Sequence, residues 1–215
     1  MSTMLGPVVY GGIHLGVILM ILSGIFYFIC ALIVWKSYRQ EKNELLGALL
    51  AFLVYQAIGM FFMGVELQTM NMLYSNIAAF AIFIGSAYML KFPISSLPEK
   101  TRKATFLLVL IAIIGLFAWY MMTEARQMEL MTFVLWYDLV VNGIVVGGSI
   151  ILYGLRSFGA TKVKAIGGGT GVVSCCVASN AAMIGGALLT GSFFQFLAPL
   201  LILGTLSYKR NEQQS

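Results

Sequence analysis

VVYGGIHLGVILMILSGIFYFICALIVWKSYR, residues 8–39, runs from Val8 to Trp35 without a Lys, Arg, Asp or Glu and then meets Lys36 and Arg39. A bilayer core about 30 Å thick is crossed by roughly 20 apolar residues in a helix that rises 1.5 Å per residue. The stretch is long enough to span. It is also longer than the apolar core of a cleavable signal peptide and has no basic residue before it, so it reads as a retained transmembrane helix. Lys36 and Arg39 at its end mark the cytoplasmic side.

Six further apolar stretches follow, at about 45–65, 72–90, 104–122, 130–154, 165–189 and 191–207, the last two parted at Thr190-Gly191-Ser192. Seven spans account for most of the 215 residues, which are 60% hydrophobic and 10% charged, against about 25% charged in a soluble domain. The fold class expected is all-α, a polytopic bundle of seven transmembrane helices. A single transmembrane domain covers 1–208, and 209–215 form a short cytoplasmic tail. No room is left for a soluble catalytic or nucleic-acid-binding domain.

Basic residues orient the bundle. Lys36, Arg39 and Lys42 follow the first span, Lys91, Lys100, Arg102 and Lys103 the third, Arg156, Lys162 and Lys164 the fifth, and Lys209 and Arg210 the last; Arg126 stands alone on the other side. Cytoplasmic loops carry the Lys and Arg excess, so the N-terminus is placed outside and the C-terminus in the cytoplasm, as for a multi-pass protein of the cell membrane. A six-span count would strand Lys209 and Arg210 outside. The net charge of +5 is then an orientation signal, with contact to anionic lipid headgroups as a by-product, and nucleic acid is not an expected partner.

Small residues describe the packing. Ser174, Ala178, Ala182 and Gly186 recur every four residues in the sixth span, Gly167, Gly171, Cys175 and Ser179 form an adjoining stripe, and Gly143 and Gly147 repeat the spacing on the fifth. Such stripes let helix backbones approach closely. Cys30, Cys175 and Cys176 form no CxxC pair and read as buried packing residues. Pro199 falls inside the last span, where it should kink the helix or leave a carbonyl free. Gly24-Ile25 and Gly143-Ile144, with Gly85 and Gly204 at the same separation, hint at two parallel three-helix units joined by the fourth span.

Polar groups inside a membrane are costly and therefore informative. By helical rise, Asp138 lies roughly 13 Å into the fifth span and His14 roughly 9 Å into the first. Glu66 closes the outer end of the second span, Asn180 and Gln195 fall in the outer layer, and Gln56 and Asn142 lie nearer the middle. If these side chains face one another they form a polar pocket open to the outside. Asp138, His14, Glu66, Asn142, Asn180 and Gln56 are the candidate ligand- or ion-binding residues. Asp138 leads, because a carboxylate at that depth must take up a proton or recruit a partner. A metal site is not specified by the sequence; if one exists, His14, Asp138 and Glu66 are its ligands.

The seven-span topology is similar to that of microbial rhodopsins, of sugar transporters of the three-plus-one-plus-three type and of trimeric intracellular cation channels. The residues separate the chain from each. The last span holds no lysine for a retinal Schiff base, no Pro-Gln motif is present, and Gly167-Gly168-Gly169 is the only feature shared with the channels. One histidine and no HExxH or GxSxG pattern argue against an enzyme, and no cofactor is specified. The function expected is a transporter or channel for a small solute or cation with its polar site in the outer half of the bilayer. The alternatives are an accessory subunit of a larger membrane complex, or a ligand-sensing receptor working through a cytoplasmic partner. The expected partners are the lipid bilayer, the small solute or cation, and further copies of the chain or foreign membrane subunits.

Overall fold

The computed structural model describes residues 7–10, 12–95, 97–122 and 134–207. Two short antiparallel strands, β1 (Val8–Tyr10) and β2 (Ile13–His14), precede seven helices. These are α1 (Leu15–Glu41), α2 (Glu44–Thr69), α3 (Met72–Ile94, with a turn at Leu90), α4 (Glu99–Met122), α5 (Val134–Arg156), α6 (Gly159–Ile184) and α7 (Leu188–Leu206). All seven are long and apolar enough to cross a membrane, so the chain is a multi-pass membrane helix bundle.

Two boundaries differ from the sequence reading. The first helix starts at Leu15, not near residue 8, because Val8 pairs with His14 around a turn in which Gly12 takes φ +83°, and the Pro7 carbonyl accepts the Leu15 N–H at 3.0 Å. The break before the last helix lies at Gly185–Ala187, where Gly186 takes φ +80°, a conformation glycine adopts without strain. Thr190, Gly191 and Ser192 are inside α7, and the Ser192 hydroxyl bonds back to the Leu188 carbonyl at 2.9 Å. The tail 209–215, Arg126 and residues 130–133 lie outside the described residues.

The tight turns have a local cause. α1 ends on Lys42 at φ 47° and α2 ends on Met70 at φ 56°, each with its N–H bonded to the carbonyl four residues back. In both cases an asparagine follows, Asn43 or Asn71, and its side chain caps the next helix by accepting the N–H of Leu45 or Leu73. Reversal within two residues forces the neighbours to pack antiparallel.

The helices assemble as two triplets, α1-α2-α3 and α5-α6-α7, which meet where α1 packs on α7 and α3 on α5. Gly24 of α1 lies under the Ala57 carbonyl of α2, and Gly143 of α5 lies under Cys176 and Val177 of α6. The two glycines therefore meet partners at the same sequence distance, as two parallel three-helix units predict. Gly85 also packs closely, against Tyr55, whereas Gly204 has nothing nearby, so the likeness fades at the third helix. The fourth helix sits outside: Phe117 reaches Phe80 and Phe83, while Leu107, Leu108, Ile111 and Ile114 are exposed.

The two small-residue stripes of α6 have different fates. Gly167, Gly171, Cys175 and Ser179 line the seam with α7, where a methyl on Gly171 would sit 3.2 Å from the Ala198 carbonyl. Ser174, Ala178 and Ala182 are half-buried and Gly186 is exposed at the turn. All ten described Lys and Arg residues lie at one end of the bundle, called the basic end below.

Candidate functional site

The site is built where the triplets meet. Asp138 of α5 is 4% exposed, yet no described basic side chain reaches it, since every described Lys and Arg is at the basic end. Its Oδ1 accepts Asn142 Nδ2 at 2.5 Å, and its Oδ2 accepts Asn180 Nδ2 of α6 at 2.7 Å. Asn142 Nδ2 also donates to Ser86 Oγ of α3 at 2.5 Å, and that hydroxyl donates to the Ile82 carbonyl at 2.7 Å. The Cys176 thiol lies beside the carboxylate. Hydrogen bonds to a charged group are worth about 1.5–3 kcal/mol each, and a carboxylate at the bilayer centre costs roughly 2.5–3.5 kcal/mol on insertion scales. Two amide donors thus offset the burial of a charge without supplying an opposite one.

A second cluster adjoins the first through Cys175. Its thiol donates to Gln195 Oε1 of α7 at 2.7 Å, and the Tyr27 hydroxyl of α1 lies next to it. Pro199 has no N–H, so the helix leaves the Gln195 carbonyl without its usual partner; Ser23 Oγ of α1 fills that place at 2.7 Å. The Cys30 thiol donates to the Pro199 carbonyl at 3.4 Å. The proline therefore fixes α7 to α1 through side-chain donors.

Among the described residues, the Tyr27 and Tyr137 hydroxyls lie beside Cys175 and Ser86, while both ends of the Gln56 amide and Asn142 Oδ1 are buried without a hydrogen-bond partner. Native interiors contain few such atoms, so each calls for a partner the described residues do not supply.

Two segments that carry the site are wound as π-helix, Asp138–Gly147 in α5 and Ser174–Ser179 in α6. They lie against each other, with Gly143 and Gly147 admitting Val177 and Val173. π-helical turns inside α-helices are frequent at functional sites.

The structure thus joins Asp138, Asn142 and Asn180 by direct hydrogen bonds, and buries Gln56 within α2 without a hydrogen bond to them. His14 is the residue before α1 rather than a side chain 9 Å inside it, because the strand pair occupies the preceding residues. Glu66 lies near the end of α2, at the same end of the molecule, with Oε2 buried and unpaired. Among the described residues no three His, Cys, Asp or Glu side chains converge on one point, so His14, Glu66 and Asp138 are not gathered into a metal-holding set. Nor is the polar pocket open to the outside. Asp138, Asn142, Asn180, Gln56 and Gln195 are all buried, and Met20, Met60, Met63, Val134 and Met183 pack in the layer between them and the end opposite the basic one.

Ser23, Tyr27, Ser86 and Cys175 belong to the site although their sequence context marks none of them. A lone serine or cysteine in an apolar helix carries no signal beyond its polarity. Only the Pro199 position, which demands an outside donor for Gln195, could have directed the search to α1. The chain matches no family model, and neither a similar curated protein nor a similar solved structure is found.

Proposed function

We propose that this protein is a membrane carrier for a proton or other small cation, with Asp138 as the group that holds the charge. The observation that supports this reading is a buried carboxylate whose partners among the described residues, two amides and the Cys176 thiol, carry no positive charge. Such a group becomes neutral by taking up a cation and regains its charge by releasing it. The unpaired Gln56 and Asn142 atoms and the Tyr27 hydroxyl beside Cys175 supply further ligands or a proton path. Apolar layers on both sides, with Val146, Ile150, Val172 and Ile202 toward the basic end, suit a carrier that opens one side at a time better than a standing pore. The basic end is taken as cytoplasmic, which puts the N-terminus outside in the cell membrane.

Flux across liposomes reconstituted with the purified protein tests the reading. Wild type is expected to move protons or alkali cations above the protein-free background, and Asp138→Asn to fall to that background while keeping its detergent melt. Equal flux in the two proteins would remove Asp138 from the role. Absence of flux from the folded wild type would overturn transport and favour the accessory-subunit reading, which pull-down in mild detergent then checks.

A further inference from the structure

At the basic end a cavity of about 360 Å³ opens between the start of α2, the Lys91–Ile94 turn and the start of α4. Three cations line it, Lys91, Arg102 and Lys103, against one carboxylate, Glu44. It also lies between the N-terminal ends of α2 and α4, where helix dipoles add positive potential.

The cations are not spent among the described residues. Arg102 uses one Nη2 donor on the Leu97 carbonyl at 3.2 Å, while its Nε is buried with no acceptor. A guanidinium has five N–H donors in a planar fork, and a buried unpaired one calls for an acceptor from elsewhere. Lys91 gives one bond to Glu44 Oε1 at 3.1 Å and rests 4.5 Å from the centre of the Phe106 ring, which holds its ammonium at the cavity wall. Two of its three N–H donors remain. Lys103 is exposed on the same rim.

We infer that this cavity binds a phosphate monoester group, carried either by an anionic lipid headgroup or by a soluble phosphorylated molecule. The charge excess of the lining matches a group with nearly two negative charges, and a forked Arg beside two Lys is the donor set that phosphate oxygens take. The volume falls within the range of small-molecule sites. The floor of Leu45, Ile94 and Phe106 is apolar and the cavity stands at the ends of spanning helices, the level at which a lipid phosphate sits. The inference does not depend on the role given to Asp138.

The full-length protein is melted in phosphatidylcholine nanodiscs, in the same discs doped with phosphatidic acid, and in phosphatidylcholine discs with added inorganic phosphate. A lipid source predicts that phosphatidic acid raises Tm by about 2–4 °C and that inorganic phosphate does little. A soluble source predicts a rise with inorganic phosphate that phosphatidic acid does not exceed. Either effect should be lost in Arg102→Gln and in Lys103→Gln, with apparent affinity at least about tenfold weaker. Lys103 is exposed, so its variant keeps the fold if Arg102→Gln does not. Lys162→Gln, at the same end but away from the cavity, should respond as wild type. No rise with either probe, or an equal loss in Lys162→Gln, would overturn the proposal in favour of diffuse surface charge.

Discussion

Asp138 and Gln56 make opposite predictions about folding and function. Asp138→Asn keeps size and hydrogen-bonding capacity, and Asn180 can turn its amide to suit, so stability should change by less than about 1 kcal/mol while flux is lost. Gln56 is buried with both amide ends unpaired, and burying an unsatisfied amide costs about 1–3 kcal/mol in proteins. Gln56→Leu, close in volume, should therefore raise the detergent melting temperature. If Gln56 serves the site, the same variant loses transport, as stability gained at a functional position commonly does. A lower Tm for Gln56→Leu would show that the amide is satisfied in the membrane and would remove it from the list of ligands. Ser23→Ala tests the proline seam. With Ser23 gone, the Gln195 carbonyl has no donor, and a loss of about 1–2 kcal/mol is expected; a silent variant would show that another group fills the place.

At the scale of helices, close approach governs. A side chain on Gly143 would meet Val177 at 2.5 Å and one on Gly171 would meet the Ala198 carbonyl, both against packed neighbours. Gly143→Leu and Gly171→Leu should lower stability by about 1–3 kcal/mol or prevent folding, whereas Leu107→Ala, on the exposed face of α4, should be near neutral. Gly186→Leu would fail for a different reason: nothing is within 4 Å, but φ is +80°. Thermal melts in detergent rank these variants. Equal tolerance at Gly143 and Leu107 would mean that α5 and α6 do not close-pack.

For the whole molecule, charge placement predicts that reporters fused in the α3–α4 connection or after Ser215 behave as cytoplasmic, and one at Arg126 as external, since twelve of the 13 Lys and Arg fall on one side. A cytoplasmic signal at Arg126 would reverse the orientation.

The seven spans were legible because the bilayer imposes one rule on each segment separately: enough apolar residues to cross, with backbone groups paired inside the helix. The rule is local, so a sequence obeys it visibly. Asp138 was legible for the same reason, as a charge where none is cheap. Asn142 and Asn180, its hydrogen-bond partners, were legible with it as polar groups inside spans, but the rest of the site was not. Nothing within α3 singles out Ser86 as the partner of Asn142, or within α1 sets Ser23 and Tyr27 beside Gln195 and Cys175. Those pairings arise from helix rotation and tilt, fixed by where glycines on several helices admit a neighbour. His14 and Asp138 looked equivalent by counting along the chain, but the chain outside α1 turns back as a strand pair and leaves His14 before the helix begins. Depth follows from one helix alone. Which side chains meet at that depth, and whether they meet behind a closed apolar layer, is decided only by how seven helices pack together.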